Sequence, residues 1–87
     1  MFNDLITSKS RVRVLSIFLS NPLEMFHVRE LVRRTNDEIN AVRRELLFLE
    51  KKGVLAKEAR ANRVYYALSK NYPFYFDLLQ LGAKTIG

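Results

Sequence analysis

The sequence predicts a mainly α-helical domain with one small antiparallel β-hairpin, an α+β class. Three observations carry that prediction. Apolar residues recur at helical spacing in four separate segments. After Gly53 the period shortens, and two strand-like runs flank a polar tip at residues 60–63. The chain is 87 residues long and 48% hydrophobic, which suits a single globular domain spanning residues 1–87.

The first helix is expected within "SKSRVRVLSIFLSNP". Ser8 or Ser10 caps its start, Val12, Leu15, Phe18 and Leu19 form its apolar stripe, and Asn21-Pro22 ends it. "EMFHV" reads as a brief strand that leads into the second helix, "VRELVRRT", where Val28, Leu31 and Val32 share a face. His27 falls at that helix's expected cap, and a lone histidine there is read as structural.

The wholly polar "TNDE" then interrupts the helical pattern. Asn36 tolerates a left-handed backbone and can end the second helix. Asp37 is expected to accept hydrogen bonds from the next helix's free N–H groups, and Glu38 to favour the positive end of its dipole. A third helix runs from about Glu38 to Lys52 with Ile39, Val42, Leu46 and Leu49 on one face, and Gly53 stops it. Two amphipathic helices joined by so short a turn form a helix-turn-helix arrangement.

Beyond Gly53, "VLAKEA" and "VYYAL" pair as a hairpin whose inward face carries Val64, Tyr66 and Leu68. Its tip, "RANR", is basic, and Asn62 is expected to take the left-handed turn position. The apolar "NYPFYFDLLQLGAKTIG" reads as a last helix over about 72–84, capped by Asn71 and with Pro73 in its first turn.

Charge narrows the partners. The chain carries a formal +6 with a pI near 10.0, and residues 27–63, with ten Lys/Arg against six Asp/Glu, hold most of the excess. Nucleic acid is the partner class such a distribution favours. The sequence lacks cysteine, a nucleophile–base pair, a metal-ligand cluster and a glycine-rich phosphate loop, so the reading is of a non-enzyme that needs no cofactor or metal. No apolar run is long enough to span a bilayer, and the start "MFNDLITSKS" lacks a secretory layout, so a cytoplasmic protein is expected.

"VRELVRRTNDEINAVRRELLFLEKKGVL" followed by "NRVYYAL" resembles the winged helix-turn-helix regulators of the arsenic-repressor (ArsR-like) type over nearly the whole chain. "FHVREL", "NRVYYAL" and "YPFYFDLLQLGAKT" are also similar to winged-helix modules that precede a nucleotidyltransferase domain. The resemblance implies a dimeric regulator, a repressor by default, of double-stranded DNA, with the helix at 38–52 in the major groove and the wing at 60–63 on the backbone or minor groove. The alternative is a protein-interaction module associated with a nucleotidyltransferase-like protein. The usual turn glycine is Asn36 here, the wing tip has no glycine, and the metal-sensing cysteines are missing.

The recognition face then follows from helical geometry. Opposite the apolar stripe lie Asn40, Ala41, Arg44 and Lys51, with Arg43 to one side. Asn40 suits adenine, Arg44 guanine and Ala41 a thymine methyl, while Arg43 suits a phosphate or a flanking base and Lys51, at the far end, the backbone or solvent. Arg60, Asn62 and Arg63 make up the wing's contribution. Leu47 and Phe48 are expected on the outer face, where an apolar pair hints at a protein partner through Phe48. Leu15, Phe18, Phe74, Phe76, Leu78, Leu79 and Leu81 offer apolar surface on the first and last helices, which the resemblance assigns to a homodimer interface.

Overall fold

A computed structural model describes residues 8–85, and side-chain surroundings as far as residue 80. Four helices and three strands follow one another as α1 (Lys9–Ser20), β1 (Phe26–His27), α2 (Val28–Thr35), α3 (Ile39–Lys51), β2 (Leu55–Arg60), β3 (Arg63–Leu68) and α4 (Tyr75–Thr85). The strands form one antiparallel sheet in the order β1-β3-β2.

Local chemistry sets the helix ends. The Ser8 hydroxyl accepts from the Arg11 N–H and starts α1, as expected. The His27 ring accepts from the Glu30 N–H at the start of α2. Asn36 ends α2 in a left-handed conformation, φ 59° and ψ 23°. Gly53 does the same work after α3, at φ 81°, where an L side chain would be strained.

Three local assignments differ from the sequence reading. Glu38, not Asp37, caps α3, because its longer side chain reaches the N–H groups of both Asn40 and Ala41. Asp37 is held elsewhere, by Arg13. At the hairpin tip Ala61, not Asn62, carries the positive φ, 53°. Arg60 pairs with Arg63, so the loop is two residues long and places the left-handed requirement on its first member. Lastly, α4 starts at Tyr75, and Asn71 and Pro73 lie in the turns before it. Those turns are closed by Tyr72 N–H to Ser69 O and Tyr75 N–H to Tyr72 O, and the helix proper opens with Leu78 N–H to Phe74 O.

One core joins all the elements. Val14, Leu15 and Phe18 of α1 meet Leu31 of α2, Val42, Leu46 and Leu49 of α3, and Leu78 of α4. Phe26, Val54, Leu55 and Leu68 close it from the sheet side, with Phe18 and Phe26 in edge-to-face contact at 5.3 Å. The inward face of the hairpin is graded: Leu68 is buried, Tyr66 half-buried, and Val64 near the tip exposed. The wing therefore projects from the body. Among the described residues no helix is long and apolar enough to cross a membrane.

The core also corrects the expected dimer surface. Leu15, Phe18 and Leu78 are 3%, 0% and 0% exposed within the single chain, so they have no face left for a second copy. A domain this small spends its largest apolar side chains on its own interior. Phe74 and Phe76 do stand out, at 39% and 78% exposure, and Leu79 is half-buried. Leu81 lies where side chains are outside the described residues.

Candidate nucleic-acid interface

The site is built around α3. Val42, Leu46 and Leu49 anchor one side of it in the core, which turns Asn40, Arg43, Arg44 and Lys51 outward into solvent and leaves Ala41 half-buried. Among the described residues neither Arg43 nor Arg44 has a carboxylate partner. Two unpaired guanidiniums in the first half of an exposed helix are free to meet base edges or phosphates.

Two ion pairs fix how α3 is presented. At its start, Arg13 of α1 grips the turn residue Asp37 through both nitrogens, Nε to Oδ2 at 2.9 Å and Nη2 to Oδ1 at 2.5 Å. The Arg13 hydrogen bond holds the Asp37 carboxyl below its ordinary range, against a smaller opposing effect of burial. Arg13 is correspondingly raised, first by the same hydrogen bond. At mid-helix, Glu45 is buried and accepts from Arg11 Nε at 2.7 Å and from the Ser8 hydroxyl at 3.3 Å. The Arg11 guanidinium also lies over the Phe48 ring, 3.7 Å from its centroid.

Phe48 is thus not the exposed aromatic expected from the helical wheel. It is half-buried under Arg11 and packs against the core. Leu47 is the exposed member of the pair, at 53%. An open groove between α1 and α3 is lined by Arg11, Arg44, Glu45, Leu47, Phe48 and Lys51.

The spacing had a signal for Glu45 that the sequence reading passed over. Val42, Glu45, Leu46 and Leu49 stand at i, i+3, i+4 and i+7, so a carboxylate there faces inward and needs a cation. That the cation is Arg11, 34 residues away, is a property of the tertiary fold.

Arg60, Asn62 and Arg63 are all exposed at the wing tip. Arg60 approaches Glu58 on its own strand at 3.4 Å. Arg63 turns the other way, its Nη1 lying 3.3 Å from His27 Nε2. In α2, Arg34 pairs with Glu30, while Arg29 and Arg33 remain exposed without a carboxylate partner among the described residues. Among the described residues no group of three His, Asp or Glu side chains is placed to hold a metal ion.

This arrangement matches solved structures closely in shape. The chain superposes on HlyU from Vibrio cholerae with a TM-score of 0.77 and 20% identity, covering 97% of this chain and 87% of that one. The transcriptional repressor BigR from Xylella fastidiosa matches at 0.76 and 15% identity, over 93% and 74% of the two chains. The antimony-specific transcriptional repressor AntR matches at 0.72 and 20% identity, over 95% and 71%. At these identities the likeness establishes the winged helix-turn-helix fold. No family profile matches the sequence, and no curated protein is similar enough to match it.

Proposed function

We propose that this chain is a transcriptional regulator that binds double-stranded DNA, reading sequence with α3 in the major groove and holding the backbone with its wing. The observation that carries the reading is the outward face of α3, where Arg43 and Arg44 stand exposed beside Asn40 with no carboxylate partner among the described residues. Arg44 offers a paired donor set to guanine and Asn40 a donor–acceptor pair to adenine, while Ala41 suits a thymine methyl. Arg43, Lys51, Arg60, Asn62 and Arg63 supply phosphate contacts, which give most of the affinity and its salt dependence. The fold shared with BigR and AntR, both described as transcriptional repressors, supports the same reading.

The regulator works as a two-fold dimer in the cytoplasm and represses by occupying its site. Phe74, Phe76 and Leu79, at the start of the last helix, are apolar positions left to join two copies. Such a dimer sets two recognition helices roughly 34 Å apart, one turn of DNA. Selection from a random duplex library at near-physiological salt tests this. Enrichment of a pseudo-palindrome with half-sites about one turn apart is expected; recovery of no sequence preference would refute sequence reading by α3.

A second reading is kept alive by Leu47, which is 53% exposed in the groove between α1 and α3. In that reading the chain is a winged-helix interaction module for a nucleotidyltransferase-like protein. Leu47→Glu would then abolish partner binding and leave DNA affinity intact.

A further inference from the structure

The outer face of the sheet holds a group of cations that the recognition helix does not explain. His27 pairs across the sheet with Tyr65, and Arg63 stands two residues before Tyr65 on the same face of β3. Arg60 is the direct cross-strand partner of Arg63, and like charges placed opposite one another destabilise a hairpin. Glu58, which pairs across the sheet with Tyr65, is the acid on this face, and Arg60 already engages it at 3.4 Å. Arg63 has no carboxylate partner among the described residues.

The contact between Arg63 and His27 is the telling one. His27 Nδ1 accepts the Glu30 backbone N–H at 3.4 Å, and that N–H is fixed by the helix it begins. An imidazole that accepts at Nδ1 carries its proton on Nε2. Nε2 lies 3.3 Å from Arg63 Nη1, which also carries protons. In that tautomer both atoms are donors, and among the described residues no carboxylate accepts from either. One oxygen accepting from both would satisfy the pair, and an anionic oxygen would also offset the Arg60–Arg63 repulsion.

We infer that His27 Nε2 and the Arg63 guanidinium together form a binding site for one phosphate oxygen at the junction of β1 and the wing, occupied by a backbone phosphate of the DNA. The inference rests on the proposed DNA-binding function and deepens it. His27 becomes a ligand-contacting residue as well as a helix cap. The site ties the wing to the start of α2, so that a single phosphate fixes the wing's position relative to the helix-turn-helix.

His27 is the chain's single histidine, so its ring nitrogens give unambiguous NMR signals. Asn at position 27 places an oxygen where Nδ1 lies and keeps the cap, but has nothing at Nε2. Gln keeps a donor near Nε2 and lacks the cap acceptor. The full chain and the variants His27→Asn, His27→Gln and Arg63→Gln are compared for duplex affinity against salt, for thermal midpoint, and for the Nε2 signal on adding duplex or inorganic phosphate.

With the site in place, His27→Asn weakens duplex binding by about three- to tenfold on every sequence at an unchanged thermal midpoint. His27→Gln keeps most of the affinity despite melting earlier, and Arg63→Gln lowers the salt slope by about one. Duplex moves the Nε2 signal in the parent chain. Unchanged affinity in His27→Asn, with an Nε2 signal that duplex does not move, overturns the inference while leaving α3 reading intact. If the parent chain binds no duplex, the DNA-binding reading fails and inorganic phosphate decides: a saturable Nε2 shift lost in Arg63→Gln retains the anion site for a free phosphate group, and no shift overturns it.

Discussion

Arg13 of α1 holds both carboxylate oxygens of Asp37, the residue that turns the chain from α2 into α3. The pair ties the entry of α3, the helix proposed to read DNA, to α1. It acts directly on presentation, because the next residue, Glu38, caps α3 and Asn40 follows within one turn.

That pair makes stability depend on pH in a defined direction. The hydrogen bond from Arg13 lowers the Asp37 carboxyl in the folded chain relative to its ordinary value of 3.8. The unfolded chain therefore binds the proton more readily, and acid favours unfolding. The stability contributed by the pair is present above the ordinary carboxylate value and is lost as pH falls through the lowered one. Urea midpoints measured from neutral pH downward should show the parent chain ahead of Asp37→Asn at neutrality and the gap closing below about pH 4. A gap that persists at acid pH would mean the carboxylate charge contributes nothing.

A second pair sits deeper. Glu45 is buried, and its cation Arg11 is sandwiched between it and the Phe48 ring. Removing only the cation, in Arg11→Met, leaves an uncompensated carboxylate inside α3 and should cost about 3 kcal/mol. Removing both charges, in Arg11→Met with Glu45→Met, should recover most of that loss, since apolar replacements of a buried pair are often neutral or better. Denaturant unfolding of the two variants checks it. If the single and double variants are equally destabilised, packing of Arg11 on Phe48 matters and the charges do not.

These two pairs mark where sequence reasoning stops. The amphipathic helices, the left-handed Asn36, the Gly53 stop and the hairpin were legible because each depends on residues within one or two turns. Asp37 was misassigned as a cap because its partner is 24 residues away, and Phe48 because the residue that covers it comes from α1. Leu15, Phe18 and Leu78 show the same limit: periodicity reveals an apolar face but not whether the chain itself or a second copy covers it. The outward face of α3 was legible for the converse reason. Core positions at helical spacing define its opposite side without further information.

Arg44 is the sharpest single test of that face. It is exposed and has no carboxylate partner among the described residues, so its removal breaks no ion pair there. Arg44→Ala should cost about 1–3 kcal/mol on the best duplex site and relax the preference at one base position. Repeating the library selection with the variant reads this directly. An unchanged motif would remove Arg44 from the recognition set.

The dimer prediction falls on Phe76. It is 78% exposed on the first turn of α4, where its ring meets that of Tyr75 edge-on. An exposed aromatic on α4 is a surface that a second copy can cover, whereas Leu78 on the same helix is already committed inward. Phe76→Glu puts a charge onto that surface without touching the core, so the fold should survive with an unchanged circular dichroism spectrum. Sedimentation should show the parent chain as a dimer and the variant as a monomer. The variant should also lose most of its advantage on duplexes with two half-sites while binding a single half-site as the parent does. A parent chain that sediments as a monomer at high concentration, alone and on DNA, would move the α4 aromatics from the dimer to some other partner and leave each α3 reading its half-site independently.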